Sequence, residues 1–498
     1  MKNILLILLT IVFAVTINAQ GWRPGEKQVV LTIETAEQAT TLSQLKLSYD
    51  VLSQTKVRAY VVPKELAQLQ QAGIEYKVEI DDLKAYSSSM QQMDAQWHTY
   101  QDIIDLADSL EQEFPAICKK YIFGQSLGGR QLAALKISDN VETDENEAEV
   151  MFDGGIHGDE YCASENVIRF ARDICIEYGT DPYITDLIDT REIWLYLMVN
   201  PDGRVSVSRY NNNGVDLNRD WQYMWDQWGG SPGPCSQVES KALRDCMYYN
   251  QFVVHTTYHG GIECISLPWS YRPDQPHDWA HIYQLAGVYA STSLYSNLPY
   301  YQGYSGMYAI NGSSKDSNYG MMGSISWSME ISDDKMPPAS QIMLYYNRNY
   351  PSMLAMIEYA GYGLEGTVTD AVTGDPVAAV IFVDNYLPIF TDPEVGDYHK
   401  YVLAGTYDIT VVANGYQTQT IEDVIVTAEN ATTTDIQLQA DDGQFVYRFT
   451  ASQIPDNNHS DEGWTPAVIG APDMINYSIG KNGWCVLDMQ YPVIDGPG

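Results

Sequence analysis

The chain has 498 residues, 45% of them apolar, with 65 acidic against 28 basic side chains and a formal net charge of −37. That is enough apolar material for several packed domains and too much for a disordered chain. So large an acidic excess excludes a nucleic-acid binder, which grips phosphates through Lys and Arg patches.

The chain opens with a short positive start, Met1-Lys2-Asn3, an apolar run from Ile4 to Val15, and Ile17-Asn18-Ala19 before Gln20. This is the pattern of a secretory signal peptide over residues 1–19. The run is shorter than the ~20 apolar residues a membrane span needs, and no later segment is long enough. The expected location is therefore secreted, at the cell surface or in the periplasm. There disulfides are permitted, but the seven cysteines show no framework. Cys162 and Cys175 read as core thiols, and a pair between Cys235 and Cys246 or Cys264 stays open.

Residues 20–85 read as a small α/β unit: strand Lys27–Glu34, helix Ala36–Leu45, strand Val57–Val62, helix Lys64–Gln71 and strand Ile74–Ile80. A Ser- and Gln-rich linker follows. Residues 95–361 alternate short apolar strands (Val150–Asp153, Ile193–Val199, Gln251–Tyr258) with helices, notably Glu160–Tyr178. This predicts an α/β domain with a mixed, largely buried sheet flanked by helices, and functional residues at strand ends. Residues 362–440 lose helical periodicity and alternate instead, with turn signals such as Thr373-Gly374-Asp375-Pro376, which predicts a small β-sandwich. Residues 441–498 look β-like and read as part of a further β domain, cut short.

Several segments carry chemistry. In Gly155-Ile156-His157-Gly158-Asp159-Glu160, His157 and Glu160 follow a strand and open a helix, so both can face one metal ion. His259 ends the strand Val253–Tyr258 before Gly260-Gly261 and is the expected third ligand. His255, inside that strand, reads as a packed histidine. Two His and one Glu leave a coordination position for water, as a catalytic zinc site requires. Arg209 and the segment Gly214-Val215-Asp216-Leu217-Asn218-Arg219 place scarce arginines in turn-rich stretches, where they could bind a carboxylate or a developing oxyanion. Glu330 lies in the apolar strand Ile325–Ile331, and a buried acid there is a candidate general base.

Together with Asn200-Pro201-Asp202-Gly203 and Lys315-Asp316-Ser317-Asn318-Tyr319, these motifs resemble the M14 family of zinc carboxypeptidases over about residues 95–361. His259-Gly260-Gly261 and the short Arg209-to-Asn218 spacing look like the branch containing carboxypeptidases N and E. That branch carries a transthyretin-like sandwich next in the chain, and Gly405-x-Tyr407 with Ala413-x-Gly415-Tyr416 resembles it.

The resemblance implies one zinc ion on His157, Glu160 and His259, with Glu330 as the base acting on its water. It implies Arg209 as the oxyanion donor, and Asn218, Arg219 and Tyr319 as the grip on the substrate's terminal carboxylate. The implied reaction is hydrolysis of the C-terminal bond of a peptide or protein. A peptidoglycan peptide hydrolase of the same family is the alternative, and a non-catalytic binding or adhesion protein is the lesser one. The β modules would suit cell-surface association. Residues 20–85 resemble the family's propeptide, with removal after Lys84 left open. Ser270 stands in Leu267-Pro268-Trp269-Ser270 where basic-specific relatives carry an acid. Basic specificity is therefore not expected, and Met321–Ser328 suggests an apolar or mixed side chain.

Overall fold

The computed structural model describes residues 23–53, 55–86, 89, 97–441, 445–453, 469 and 484–490. The signal-peptide expectation lies outside them. Among the described residues no helix is long and apolar enough to cross a membrane.

The N-terminal unit is a four-stranded antiparallel sheet in the order β2-β3-β1-β4, formed by β1 (Lys27–Thr32), β2 (Ser48–Ser53), β3 (Lys56–Val61) and β4 (Glu75–Ile80). Helices Ala36–Gln44 and Pro63–Gln71 lie between strands. Thr35 starts the first helix through a reciprocal cap with Gln38, which satisfies otherwise orphaned N–H groups. Of these four strands and two helices the sequence reading found all except β2, and it did not foresee the helical turn at residues 83–86. The core of this unit is its own, from Val29 to Ile74, with Tyr308 of the next domain packed against it.

The central domain holds an eight-stranded mixed sheet in the order β11-β10-β12-β9-β7-β8-β6-β5. Its strands are β5 (Cys118–Gln125), β6 (Gln131–Ile137), β7 (Ala148–Gly154), β8 (Arg191–Tyr196), β9 (Phe252–His259), β10 (Ile262–Leu267), β11 (Tyr300–Gln302) and β12 (Ile325–Ser332). Both faces are covered. Ala133, Leu135 and Ile137 of β6 pack into the cluster with helices Tyr161–Glu177 and Ile342–Ala360. Leu132 and Ala134 turn to the other face, against Leu243 and Met247 of helix Val238–Tyr249. Two-sided burial explains why these strands read as continuous apolar runs. In the middle, β12, β9, β7 and β8 run parallel, so the C-terminal ends of β7, β9 and β12 lie side by side.

Residues 363–438 form two four-stranded sheets. One holds β13 (Gly363–Asp370), β16 (Asp397–Lys400), β19 (Ala431–Thr433) and β20 (Ile436–Leu438). The other has the order β15-β14-β17-β18, from β14 (Val380–Val383), β15 (Ile389–Phe390), β17 (Gly405–Val412) and β18 (Gln419–Val426). Their inner faces share one core, including Val368, Ile381, Tyr398 and Ile409. Beyond them β21 (Arg448–Gln453) pairs with β22 (Trp484–Asp488) and leans on the central domain, where the Ser452 backbone bonds to Gln222 and Trp225. All seven cysteines are free thiols, so no Cys235 pairing forms.

Candidate metal and peptide site

Three neighbouring strand ends build the site. β7 ends at Gly154, and the chain turns through Gly155, whose φ of +71° favours glycine. The turn presses on the Asn200-Pro201-Asp202-Gly203 segment: a Cβ on Gly158 would stand 2.0 Å from the Gly203 carbonyl carbon. This packing aims His157 and Glu160 inward. His259 closes β9, and Glu330 lies opposite it in register on β12.

The histidine Nδ1 atoms of His157 and His259 face one another at 3.2 Å. Glu160 bridges them, with Oε1 2.8 Å from His157 and Oε2 2.9 Å from His259. All three residues are buried, and their ligand atoms gather within 4.8 Å. Two nitrogens bound to one tetrahedral zinc stand roughly 3.3 Å apart, given bonds of about 2.0–2.1 Å, so the cluster fits that ion. The opposite nitrogen of His157, Nε2, meets Asp216 Oδ1 at 3.1 Å. Nε2 donates to this carboxylate, which fixes the tautomer and leaves the Nδ1 lone pair for a metal. Burial works to raise the Glu160 pKa, but His157, Lys335 and His259 hold it well below the usual carboxylate range. Asp216 behaves likewise: burial opposes its charge, and Arg209, Arg219 and His157 overcome it. Burial pushes His259 below its ordinary value, towards the neutral, metal-binding form.

Next to the cluster lies a narrow cavity of about 30 Å³. Arg209 reaches it with Nε held by Asp216 Oδ2 at 3.0 Å and Nη1 3.3 Å from His157. Asn218 and Arg219 line the same space, as does half-buried Glu330. Burial, with the negative charges of Glu160 and Asp50, raises the proton affinity of Glu330. Arg219 is 1% exposed and its guanidinium lies over the Trp228 ring, 4.7 Å from its centre, yet its Nε and Nη2 have no hydrogen-bond partner among the described residues; Nη1 donates to the Asn218 carbonyl.

Seven of the eight expected site residues therefore converge. Tyr319 does not. Its ring is wholly buried against Trp269, and its hydroxyl donates to Asp278, away from the cavity. The tyrosine lining the cavity is Tyr308. His255 is packed as expected, between Asp153 Oδ2 at 2.5 Å and Ser326 Oγ at 2.7 Å. Met321 and Met322 belong to the core rather than to the cavity, so the apolar lining expected from Met321–Ser328 reduces to Ser328. Glu263 pairs with Arg348.

The sequence reading also missed Asp50. It sits on β2, accepts from the Tyr60 hydroxyl at 2.6 Å, and lines the cavity with the metal cluster. Beside it the Tyr49 ring lies on Tyr308, centroids 4.2 Å apart. Lys335 joins the units: its ammonium is 3.3 Å from Glu160 and 4.3 Å from the Tyr60 ring centre.

Residues 103–352 match the peptidase M14 zinc carboxypeptidase family. Carboxypeptidase SOL1 of Arabidopsis thaliana is 29% identical over 354 residues, covering 66% of this chain and 71% of that protein. Carboxypeptidase D of Anas platyrhynchos is 28% identical over 372 residues, 67% of this chain but only 26% of its own length. The catalytic chain of human carboxypeptidase N is 27% identical over 386 residues, 67% of this chain and 83% of that one. Among solved structures, carboxypeptidase A from Helicoverpa armigera superposes with a TM-score of 0.58 at 18% identity, over 68% of this chain and 97% of that one, a likeness of fold. Zinc is the metal of this family, His157, Glu160 and His259 form the cluster able to hold it, and the chain belongs to the M14 zinc carboxypeptidases.

Proposed function

We propose that the chain is a zinc-dependent metallocarboxypeptidase that hydrolyses the last peptide bond of a peptide or protein. Arg219 carries this reading. A buried guanidinium with two unpaired nitrogens is costly unless a planar anion meets it. A free C-terminus brings such a carboxylate to the cavity, and an internal peptide bond does not.

Bound zinc would supply Lewis-acid polarisation of the scissile carbonyl and a lower water pKa. Glu330 then takes the proton of the attacking water and delivers it to the departing amine. Arg209, anchored by Asp216, offers its guanidinium to the developing oxyanion, a contribution on the order of 10²–10³ in rate. Asn218 and Arg219 hold the terminal carboxylate, and Tyr308 closes the same cavity. The N-terminal unit, residues 20–85, acts as a cover over the mouth; Asp50 and the Tyr49–Tyr308 contact support that role. Residues 1–19 direct export, and residues 362–440 serve as a transthyretin-like module suited to cell-surface association.

The test uses blocked dipeptides and the zinc-loaded chain, cleaved between the N-terminal unit and residue 97. Free C-termini are expected to be cleaved and amidated ones spared. Glu330→Gln should keep zinc while losing at least ~10² in rate. Equal cleavage of amidated substrates would overturn the exopeptidase reading. Cleavage of muropeptides alone would favour peptidoglycan as substrate.

A further inference from the structure

The cavity is lined by a third cation, beside Arg209 and Arg219, that the reaction above does not use. Lys315 lies in the first turn of helix Ser314–Met322, is 3% exposed, and lines the cavity with Arg219 and Glu330. A helix N-terminus carries partial positive charge and disfavours a cation, all the more a desolvated one. Nothing in the fold compensates in the usual way. Among the described residues no carboxylate comes within ion-pair distance of its ammonium, and its hydrogen-bond partner is Ser266 Oγ at 2.5 Å. The adjacent Asp316 is turned away, with Oδ2 accepting from the Ser270 backbone at 2.8 Å. Burial lowers the Lys315 pKa, with Asp316 and Glu330 pulling it back up.

The surroundings form a polar cradle. A Cβ added to Gly303 would stand 2.3 Å from Ser270 Oγ, 2.9 Å from Ser266 Oγ and 3.0 Å from Lys315 Nζ. Two hydroxyls and an ammonium thus meet over a residue with no side chain to fill the space. The helix is fixed in this position because Asn218 Oδ1 accepts from the Ser314 backbone at 3.0 Å. The residue that helps hold the terminal carboxylate therefore also sets the placement of Lys315.

A substrate's last residue has one α-carboxylate, which goes to Arg219. Its side chain must fill the remaining space, where Lys315, Ser266 and Ser270 wait. We propose that this pocket selects peptides ending in glutamate or aspartate, with Lys315 and the two serine hydroxyls receiving the side-chain carboxylate. The inference rests on the carboxypeptidase reading and deepens it. It replaces the apolar or mixed preference expected from sequence.

Blocked dipeptides ending in Glu, Asp, Gln, Leu and Lys, given to the cleaved, zinc-loaded chain, test it. Glutamate should exceed glutamine by ~10²-fold or more in kcat/KM, since a buried polar site rejects the near-isostere that leaves it unpaired. Lys315→Gln should reduce that ratio to within about threefold while glutamine- and leucine-ending substrates are still cleaved. Titration calorimetry on Glu330→Gln reads binding without turnover and should rank the peptides in the same order. Glutamine or leucine cleaved and bound as well as glutamate overturns the acidic preference and leaves the carboxypeptidase intact. A panel in which nothing is bound or cleaved overturns both. Should Lys315→Gln not fold, the wild-type ranking in both assays decides.

Discussion

Asp216 touches no metal in the proposed site, yet it should govern zinc affinity. Its carboxylate is fully buried and takes three donors: His157 Nε2 at 3.1 Å, Arg209 Nε at 3.0 Å and the Asn218 backbone at 3.0 Å. Asp216→Asn keeps the shape but puts an N–H where a lone pair had been. Either His157 or Arg209 then loses its acceptor, and the charge opposite Arg209 disappears. Losing a carboxylate that orients a ligating histidine costs about 10–100-fold in metal affinity, or roughly 1.4–2.8 kcal/mol. Removing one partner of a buried ion pair costs fold stability as well, about 3–5 kcal/mol, so the two effects must be separated. Chelator competition gives the zinc Kd. Thermal melts with and without excess zinc show whether the variant is folded when the Kd is read. A folded Asp216→Asn that binds zinc within twofold of wild type would refute the argument that this contact sets the His157 tautomer.

Three further outcomes follow from the same geometry. Tyr308→Phe should lower kcat/KM, whereas Tyr319→Phe should leave it within about twofold and cost roughly 1–3 kcal/mol of stability by stranding buried Asp278; steady-state kinetics and urea melts separate the two, and a large kinetic loss in Tyr319→Phe would reverse the assignment. Cleavage and removal of residues 20–85 should raise activity at least ~10-fold by freeing the mouth at Asp50, with Asp50→Ala in the intact chain giving part of that gain; equal rates before and after removal would show that the unit does not obstruct the site. His281 has its pKa pushed down from 6.5 to about 4, by burial first and by Lys400 as well, with Asp278 and Asp384 opposing; its Nδ1 accepts from the Leu403 backbone and ties helix Trp279–Thr292 to the sandwich. A depressed histidine pKa means the unfolded chain binds the proton more readily, so its contribution is present above pH 6.5 and is lost as pH falls towards 4. That loss is about 2 kcal/mol between pH 7.5 and 4.5, and urea melts of His281→Gln should show a shallower acid dependence; an unchanged slope would exclude this histidine as the cause.

The metal cluster was legible in sequence because each part announces itself locally. An apolar strand ending in glycine precedes His157, another precedes Gly260, and both strand ends fall together once the middle of the sheet is parallel. Glu330 was legible for a similar reason, as a charge inside an apolar run. β2 was not, because Ser48-Tyr49-Asp50 is a buried stretch that includes polar residues. Leu47 and Tyr49 join the apolar core of the unit, while Ser48 and Asp50 are buried by facing Tyr210, Tyr60 and the cavity, so the polar half of the alternation marks no solvent face. Tyr308 sits between a three-residue strand, a single helical turn and the next helix, where no periodicity operates.

Tyr319 shows how a correct motif can still supply the wrong residue. Every residue of helix Ser314–Met322 is buried, polar ones included, so it has no solvent-facing stripe to indicate which end or face meets the cavity. Lys315 and Tyr319 lie four apart and share a face, but one turn separates them, about 6 Å along the axis. The cap at Ser313 and the bond from the Ser314 backbone to Asn218 put the first turn at the cavity. Lys315 therefore reaches it, and Tyr319 falls one turn deeper, behind Trp269 and onto Asp278. Reading this segment for its tyrosine looks past the ammonium one turn earlier. The contact that fixes the helix comes from Asn218 in a distant segment, which makes the difference a tertiary fact with no local signal in sequence.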